Sequence, residues 1–340
     1  MSGGNPKVSS PPATSGIFDA LPGLETPVGS ISSGLAAMWA GAEAEGKPAP
    51  GNDNAKAIQV NFVLLLGLKT DAADAVRQFE TAVKFSKRHP SRVVVLCPLS
   101  DDAGVKEMRA KVYGECTLGK TADDRRCCEF VMLSYPRGVR AHLENQVSIC
   151  LSTDIPLYFW AHGFADAARL ADYNYLMTSA KRVIIDSATA PEGALGYAWP
   201  RPENLRDLAY ARILPVRQSI GQFLSRYPAK VLAKGLVSIE LAHGSDVGAE
   251  AAVLLEWTKK RLEDCGATGE AAKAEPRANM PPRAFELTFS YSDKKAFKWS
   301  ADVAAAHATF DADFCSGRTT MQAAATFLPP EGALSEAMFF

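Results

Sequence analysis

The sequence predicts an α/β fold, a mostly parallel mixed sheet flanked by helices, followed by a smaller α+β domain with an antiparallel sheet. Residues 58–67 and 91–98 are short apolar runs, typical of strands covered on both faces. The amphipathic segment 71–88 between them is long enough for the crossover that parallel strands require. After residue 283, closely spaced alternating runs are typical of antiparallel strands.

The elements of the first domain follow from local signals. Thr70 or Asp71 is expected to cap a helix whose apolar face includes Phe79, and Pro90 is expected to end it. The pattern then predicts strands at Met108–Thr117 and Cys128–Tyr135, a helix from about Val139 to Leu151, the strand IPLYFWAHG, a helix at Asp166–Ser179 and the strand KRVIIDSA.

The second domain has a different order of elements. Residues 199–228 predict a short helix and a longer one, and residues 234–243 predict a strand. Ser245 is expected to open a helix that ends near Gly266. The runs AFELTFSY, KAFKWSADV, AAHATFDADFC and TTMQAAATF predict the antiparallel sheet.

Composition sets the expected domain boundaries. Small, polar and Pro residues dominate the amino terminus, which lacks a signal-peptide pattern, and a Gly-, Pro- and Ala-rich stretch precedes the first strong strand. The expected organisation is a disordered tail at 1–29, an α/β domain at 30–190 with a linker at about 41–56, an α+β domain at 191–328 with a loose segment at about 267–282, and a tail at 329–340.

The bulk numbers exclude several classes of function. Lys plus Arg is 37 and Asp plus Glu is 38, so the basic footprint of a general nucleic-acid binder is missing. No apolar run reaches the roughly 18–20 residues of a membrane helix. Seven cysteines without matched spacing favour a reducing compartment over a disulfide framework. We therefore expect a cytoplasmic protein that binds neither nucleic acid nor membrane.

One motif suggests nucleotide binding. The stretch GECTLGKT, Gly114–Thr121, fits the phosphate-loop pattern G-x-x-x-x-G-K-[ST] and would use Lys120. A phosphate loop needs a buried strand before it and a helix after it. Here the preceding KEMRAKVY is charged, and Asp123 and Asp124 follow where phosphate would approach. The context favours a hairpin loop between two strands.

Other catalytic motifs are missing. The sequence has no G-x-G-x-x-G after the first strand, no G-x-S-x-G, no H-E-x-x-H and no C-x-x-C, so we expect no cofactor, no metal and no enzyme. Arg125 and Arg126 make the polar loop between the predicted strands electropositive, which favours reactive thiols. The candidate redox thiols are Cys116, Cys127 and Cys128.

His162 and Asp186 are predicted at the carboxyl ends of strands. Ligands of open α/β sheets bind at that edge. The two side chains are therefore candidates for an acid–base pair, and a structural hydrogen bond is the alternative.

Several motifs in order resemble the family of the glucose-6-phosphate dehydrogenase assembly protein OpcA. They are His89–Val93 (HPSRV), Pro156–Gly163 (PLYFWAHG), Asp186–Ala188 (DSA) and Ala211–Arg217 (ARILPVR). Relative to the family pattern, Phe159 and Val216 replace tryptophans, and His162 replaces the usual Arg or Pro before glycine. The resemblance covers about residues 30–265.

The resemblance implies a noncatalytic partner that assembles or activates glucose-6-phosphate dehydrogenase, the NADP-dependent entry enzyme of the oxidative pentose phosphate pathway. Aromatic residues and Arg are the usual interface anchors. The alternatives are an enzyme that uses GECTLGKT or His162 and Asp186, and a sensor of sugar phosphate or NADP(H). The expected interface residues are Trp160, His162, Arg212 and Arg217, with Trp199 and Tyr210 as weaker choices.

Overall fold

A computed structural model of the chain contains two compact units, one ending at Lys181 and the next beginning at Arg182. The first has a mostly parallel sheet with helices, and the second contains a mostly antiparallel six-stranded sheet. The predicted fold class is therefore confirmed. The structure describes residues 16–50, 58–100, 104–118, 125–269 and 271–340.

Two buried strands form the centre of the first unit. Every residue of Val60–Leu66 is buried, and only Arg92 of Ser91–Pro98 is partly exposed, as continuous apolar runs predict. The helices are α1 (Ile17–Ala20), α2 (Ile31–Ala44), α3 (Ala72–Arg88), α4 (Leu143–Cys150) and α5 (Asn174–Ser179). The strands are β1 (Leu24–Thr26), β2 (Val60–Leu66), β3 (Ser91–Pro98), β4 (Arg109–Leu118), β5 (Arg125–Tyr135) and β6 (Leu157–His162).

The strand order of this unit places β2 between β3 and β6. The order is β1-β4-β5-β3-β2-β6, in which β5, β3, β2 and β6 run parallel and β1 and β4 pair antiparallel. The chain goes from β2 to β3 on one side and returns to β6 on the other. Such a switch point opens a crevice at the carboxyl ends of the strands, where ligands of α/β sheets bind.

Residues 17–26, predicted in the disordered tail, instead form α1 and β1. The strand β1 pairs with β4, and the buried Lys111 Nζ donates hydrogen bonds to the carbonyls of Phe18 (2.8 Å) and Leu21 (3.0 Å). Phe18 and Leu21 are themselves buried. A buried ammonium requires such partners, so it fixes this segment in place.

In the second unit, the helices α7 (Leu214–Leu224) and α9 (Gly248–Asp264) lie on the apolar face of the six-stranded sheet, where Trp299, Phe297 and Phe310 are buried. The strand order of the six-stranded sheet is β10-β9-β11-β12-β13-β14, and β7 and β8 pair parallel with each other. The strands are β7 (Arg182–Ile185), β8 (Leu205–Asp207), β9 (Leu236–His243), β10 (Ala271–Pro276), β11 (Ala284–Tyr291), β12 (Ala296–Asp302), β13 (His307–Asp313) and β14 (Arg318–Ala324). The helices are α6 (Leu208–Arg212), α7 (Leu214–Leu224), α8 (Ala229–Ala233), α9 (Gly248–Asp264) and α10 (Pro330–Phe339).

Two segments of this unit are more ordered than the sequence predicts. The segment expected to be loose, 267–282, contains β10, which pairs parallel with β9 from Ala271 opposite Ser238. The predicted tail 329–340 forms α10, which contacts α6 and β7 and buries Leu334 and Met338 completely. Both segments are ordered because they pair or pack with residues that are distant in sequence. Local periodicity does not reveal such partners.

If α10 belongs to the core of its unit, Leu334→Ala should lower the free energy of unfolding by about 2–5 kcal/mol, because it leaves a cavity. Chemical denaturation measures the change. Phe340→Ala is the control, since that side chain is 81% exposed and its loss should cost less than about 0.5 kcal/mol. Equal effects of the two substitutions would contradict this packing.

Candidate functional site

The candidate site of the first unit is the crevice between β2 and β6. Leu66, the last residue of β2, lies opposite His162, the last residue of β6. The helix α3 begins a few residues after β2, so its amino terminus lies at the same edge. In dinucleotide-binding folds this position receives a pyrophosphate.

Backbone contacts close this crevice. The Gly67 N–H donates to the His162 carbonyl at 2.8 Å, and the Lys69 N–H donates to the Gly163 carbonyl at 2.8 Å. A Cβ on Gly67 would lie 2.6 Å from the Gly163 oxygen, and Gly163 has φ +63°. Two glycines are therefore required here because the two loops touch backbone to backbone.

The positive end of α3 is already neutralised by the protein. Asp71 caps the helix and accepts from the Asp74 N–H at 2.8 Å. Asp74 Oδ2 lies 2.6 Å from His162 Nε2, and its other oxygen accepts from Gln78 (2.9 Å) and Arg77 (3.1 Å). A phosphate entering this position would meet two carboxylates, which oppose its binding.

Asp74 is held in its ionised form. Partial burial raises the pKa of this carboxyl, but hydrogen bonds from His162 and Gln78 and the charge of Arg77 bring it below its ordinary value of 3.8. The pair is therefore a clamp between the end of β6 and the first turn of α3. His162, predicted to pair with Asp186, has Asp74 as its hydrogen-bond partner.

Asp186 belongs to an ion-pair cluster in the second unit. It follows β7 and accepts from one Nη of Arg212, while Glu250 accepts from the other. Asp207, at the end of β8, accepts from the Ser187 N–H at 2.9 Å and the Ser187 hydroxyl at 2.6 Å. Asp186 is therefore held in a structural ion pair with Arg212 and not in the predicted pair with His162.

The electrostatics of this cluster also favour a structural role. Burial lowers the pKa of the Arg212 guanidinium, but Asp186 and Glu250 raise it above its ordinary value. Burial raises the pKa of Asp207 despite its hydrogen bonds from Ser187. A guanidinium that stays protonated cannot act as a base. Its ion pairs with Asp186 and Glu250 instead connect α6 to the end of β7 and to α9.

The phosphate-loop motif begins inside a strand. Gly114 to Leu118 belong to β4 and pair antiparallel with β5, so the predicted hairpin has formed in place of a strand–loop–helix unit. A phosphate loop presents successive N–H groups to a ligand, whereas these pair across a strand ladder. Lys120 and Thr121 lie outside the described residues.

Of the three candidate redox thiols, Cys116 and Cys127 are bonded to each other and Cys128 is buried. Cys116 lies directly opposite Cys127 in the β4–β5 ladder, and the two form a disulfide with a Cα–Cα distance of 4.0 Å. Cys128 points to the opposite face of β5 and is buried, which raises its pKa to about 12. The register of the hairpin, which the sequence alone did not fix, places Cys116 opposite Cys127 and turns Cys128 to the other face.

Most of the predicted interface residues are in the interior. The buried ones are Trp160, His162, Arg217 and Trp199. The guanidinium carbon of Arg217 lies 3.7 Å from the centre of the Tyr210 ring. Side chains in such positions have little surface to offer a partner. Tyr210, at 40% exposure, is the most accessible of the predicted set. A docking surface for a partner therefore requires other residues.

Within the described parts of the chain, no group of three or more His, Cys, Asp or Glu residues is arranged to hold a metal ion. Among the same residues, no helix combines the length and the apolar character needed to span a membrane.

Sequence reasoning missed Asp74, Asp207 and Glu250. Asp74 stands three residues after the cap Asp71, where an acidic residue commonly interacts with the start of a helix, so a signal was present. Glu250 lies in the first turn of α9 and carries the same weak signal. Their partners lie 88 and 38 residues away, and no local pattern identifies them.

One family model matches part of the sequence. The sequence model of the OpcA family, described as "Glucose-6-phosphate dehydrogenase subunit N-terminal domain", matches residues 82–197. This segment contains β3 to β7, including His162. Comparison with curated protein sequences finds no match.

Solved structures with a similar fold are only distantly similar. The 3-ketoreductase KijD10 from Actinomadura kijaniata, with NADP and TDP-benzene, has 9% identity and TM-score 0.41, covering 82% of this chain and 87% of its own. A glucose-6-phosphate dehydrogenase with its substrate glucose-6-phosphate has 8% identity and TM-score 0.41 (82% and 85%). A Gfo/Idh/MocA family oxidoreductase from Vibrio cholerae has 11% identity and TM-score 0.37 (82% and 85%). Likenesses this weak say nothing of what this chain binds or catalyses.

If Asp74 acts as the clamp, Asp74→Asn should lower the free energy of unfolding at pH 7 by about 1.5–3 kcal/mol. Because the folded-state pKa is depressed, this stabilisation is complete above the unfolded-state pKa of about 3.9 and is lost as pH falls through the lower folded-state value. Denaturation at pH 7 and pH 2 measures the difference between wild type and variant.

The control is Asp154→Asn, since Asp154 is exposed and its replacement should change stability by less than about 0.5 kcal/mol at either pH. A deficit of Asp74→Asn that stayed the same at both pH values would contradict a charged clamp.

Proposed function

We propose, from the premise that the chain belongs to the OpcA family over residues 82–197, that it is a noncatalytic partner of glucose-6-phosphate dehydrogenase. In this role it assembles or activates the dehydrogenase by protein–protein binding and so supports NADPH production in the oxidative pentose phosphate pathway. The family match is the observation that carries the proposal.

The geometry of the strand edge supports a noncatalytic role. The His162–Asp74 clamp and the Gly67–Gly163 contact lie at the edge where an α/β enzyme would hold its cofactor phosphates. Asp186 is committed to Arg212. His162 and Asp186 are thus both engaged by partners within the chain, which disfavours acid–base catalysis by either of them.

A groove on the first unit supports partner binding. The exposed Ile149 of α4 stands beside a cavity of about 340 Å³, whose apolar walls come from Ile31 and Leu35 of α2 and Val131 of β5. Ile149 is 71% exposed, although water disfavours so bulky an aliphatic side chain. We call this surface the Ile149 groove.

Charged residues line the same cavity. Arg92 donates to Glu129 at 2.9 Å, and Glu129 also accepts from the Trp39 indole at 2.9 Å. These bonds hold α2 and β3 to β5 and give the groove a fixed shape. A preorganised groove loses little conformational entropy on binding, which favours a specific partner. We infer that an apolar anchor of the dehydrogenase binds here.

The energy required for activation is small. An activator must bind the active conformation or oligomer of the dehydrogenase more tightly than the inactive one. A tenfold shift requires a difference of about 1.4 kcal/mol in binding free energy. Burying one apolar side chain contributes about 1.5–3 kcal/mol, so a single anchor in the groove is sufficient.

Ile149→Glu should weaken binding to the dehydrogenase at least about tenfold, because it places a charge in an apolar contact. The purified chain is mixed with glucose-6-phosphate dehydrogenase from the same cell, and co-elution and the rate of NADPH production are measured. Because Ile149 is exposed, the variant should keep wild-type stability.

Val237→Glu is the matched control, since Val237 is 51% exposed on β9 and the substitution introduces the same charge. Equal losses in both variants would exclude the Ile149 groove as the contact. A wild-type chain that neither co-elutes nor changes the rate would exclude the partner role. Reduction of NADP by the chain alone with glucose 6-phosphate would establish the catalytic alternative instead.

A further inference from the structure

A second concave surface lies in the second unit, between α7, α8 and α9. Its cavity has a volume of about 340 Å³ and is lined by the aromatic rings of Tyr227 and Trp257 and by Leu224, Leu232 and Leu262. We call it the Trp257 pocket. Small-molecule sites typically occupy about 300–1,000 Å³ and are lined mainly by apolar and aromatic side chains.

Two hydroxyl groups in the pocket wall, those of Thr258 and Ser225, already have partners. Thr258 donates to the Leu254 carbonyl at 2.8 Å, and Ser225 donates to the Gln222 carbonyl at 3.0 Å. They therefore do not require hydrogen bonds from a ligand. The interior favours an apolar ligand, because a buried polar group without a partner would be unfavourable there.

A glycine keeps the pocket open. Gly221 lies inside α7, where its backbone is helical, so no unusual φ angle requires glycine. A Cβ at this position would come no closer than 3.9 Å to the Trp257 ring, which is ordinary van der Waals contact. Alanine would fit and would favour the helix. Gly221 therefore leaves one part of the Trp257 ring uncovered, although the packing around this position does not require a glycine.

The exposed charges lie at the mouth of the pocket. Arg261 and Asp264 both line it, pair with each other at 3.0 Å and have more than half of each side chain in solvent. An exposed pair of this kind is electrically neutral and weak, so it selects neither a cation nor an anion. It supplies a polar rim to an apolar interior, as in many ligand sites.

We propose that the Trp257 pocket binds an uncharged, planar aromatic small molecule of one or two fused rings. A cavity of about 150 Å³ holds benzene, and this one is roughly twice as large. Aromatic rings prefer offset-stacked or edge-to-face contacts, which Trp257 and Tyr227 both offer. The site is independent of the proposed binding to glucose-6-phosphate dehydrogenase.

The test uses 2-naphthol and indole as probes with the full chain, and calorimetry and ligand-observed NMR as readouts. Wild type should bind at least one probe with a Kd below about 1 mM. Gly221→Ala should weaken binding at least about tenfold, because its methyl group fills the space beside Trp257. The melting temperature of this variant should stay the same or rise, which separates loss of the pocket from loss of the fold.

Gly41→Ala is the matched control. Gly41 lies inside α2 with open space around it, so the same change should favour the helix and leave probe binding unaltered. No binding of either probe to wild type, or undiminished binding to Gly221→Ala, would overturn the proposal. Equal affinity for decahydro-2-naphthol, the saturated counterpart, would overturn the aromatic class.

Discussion

The contact between His162 and Asp74 decides what the sheet edge of the first unit can do. It joins the residue at the end of β6 to the first turn of α3, across the position that an α/β fold offers to a ligand. The carboxylate balances the positive end of the helix from within the chain, so an external anion gains little there. The glycine contact between the two loops brings their backbones together at the same edge.

The second unit uses its charges in the same structural way. Arg212 lies between Asp186 and Glu250, and the three side chains connect α6, α9 and the end of β7. Each polar group is matched inside its own cluster, because an unpaired buried charge would be strongly unfavourable. Residues with the chemistry of a catalytic site thus hold elements together in both units.

The two surfaces proposed for binding are both apolar and concave. The Ile149 groove and the Trp257 pocket both combine bulky apolar walls with polar groups that already have partners. The match to the OpcA family over residues 82–197 gives the first of them a proposed partner. The second is proposed from its shape and chemistry alone, with Gly221 as the residue that keeps it open.

The sequence by itself determined the elements whose signals are local. The apolar runs predicted β2 and β3, and the charged flanks of GECTLGKT predicted a hairpin. The start of α3 was predicted at Thr70 or Asp71, and Asp71 is the cap in the structure. Only the tertiary structure decided the partner of His162, the pairing of Cys116 with Cys127, the burial of Trp160 and the packing of α10. The reason is physical, since periodicity and caps act over a few residues, whereas partners and burial depend on strand register and on contacts between distant segments.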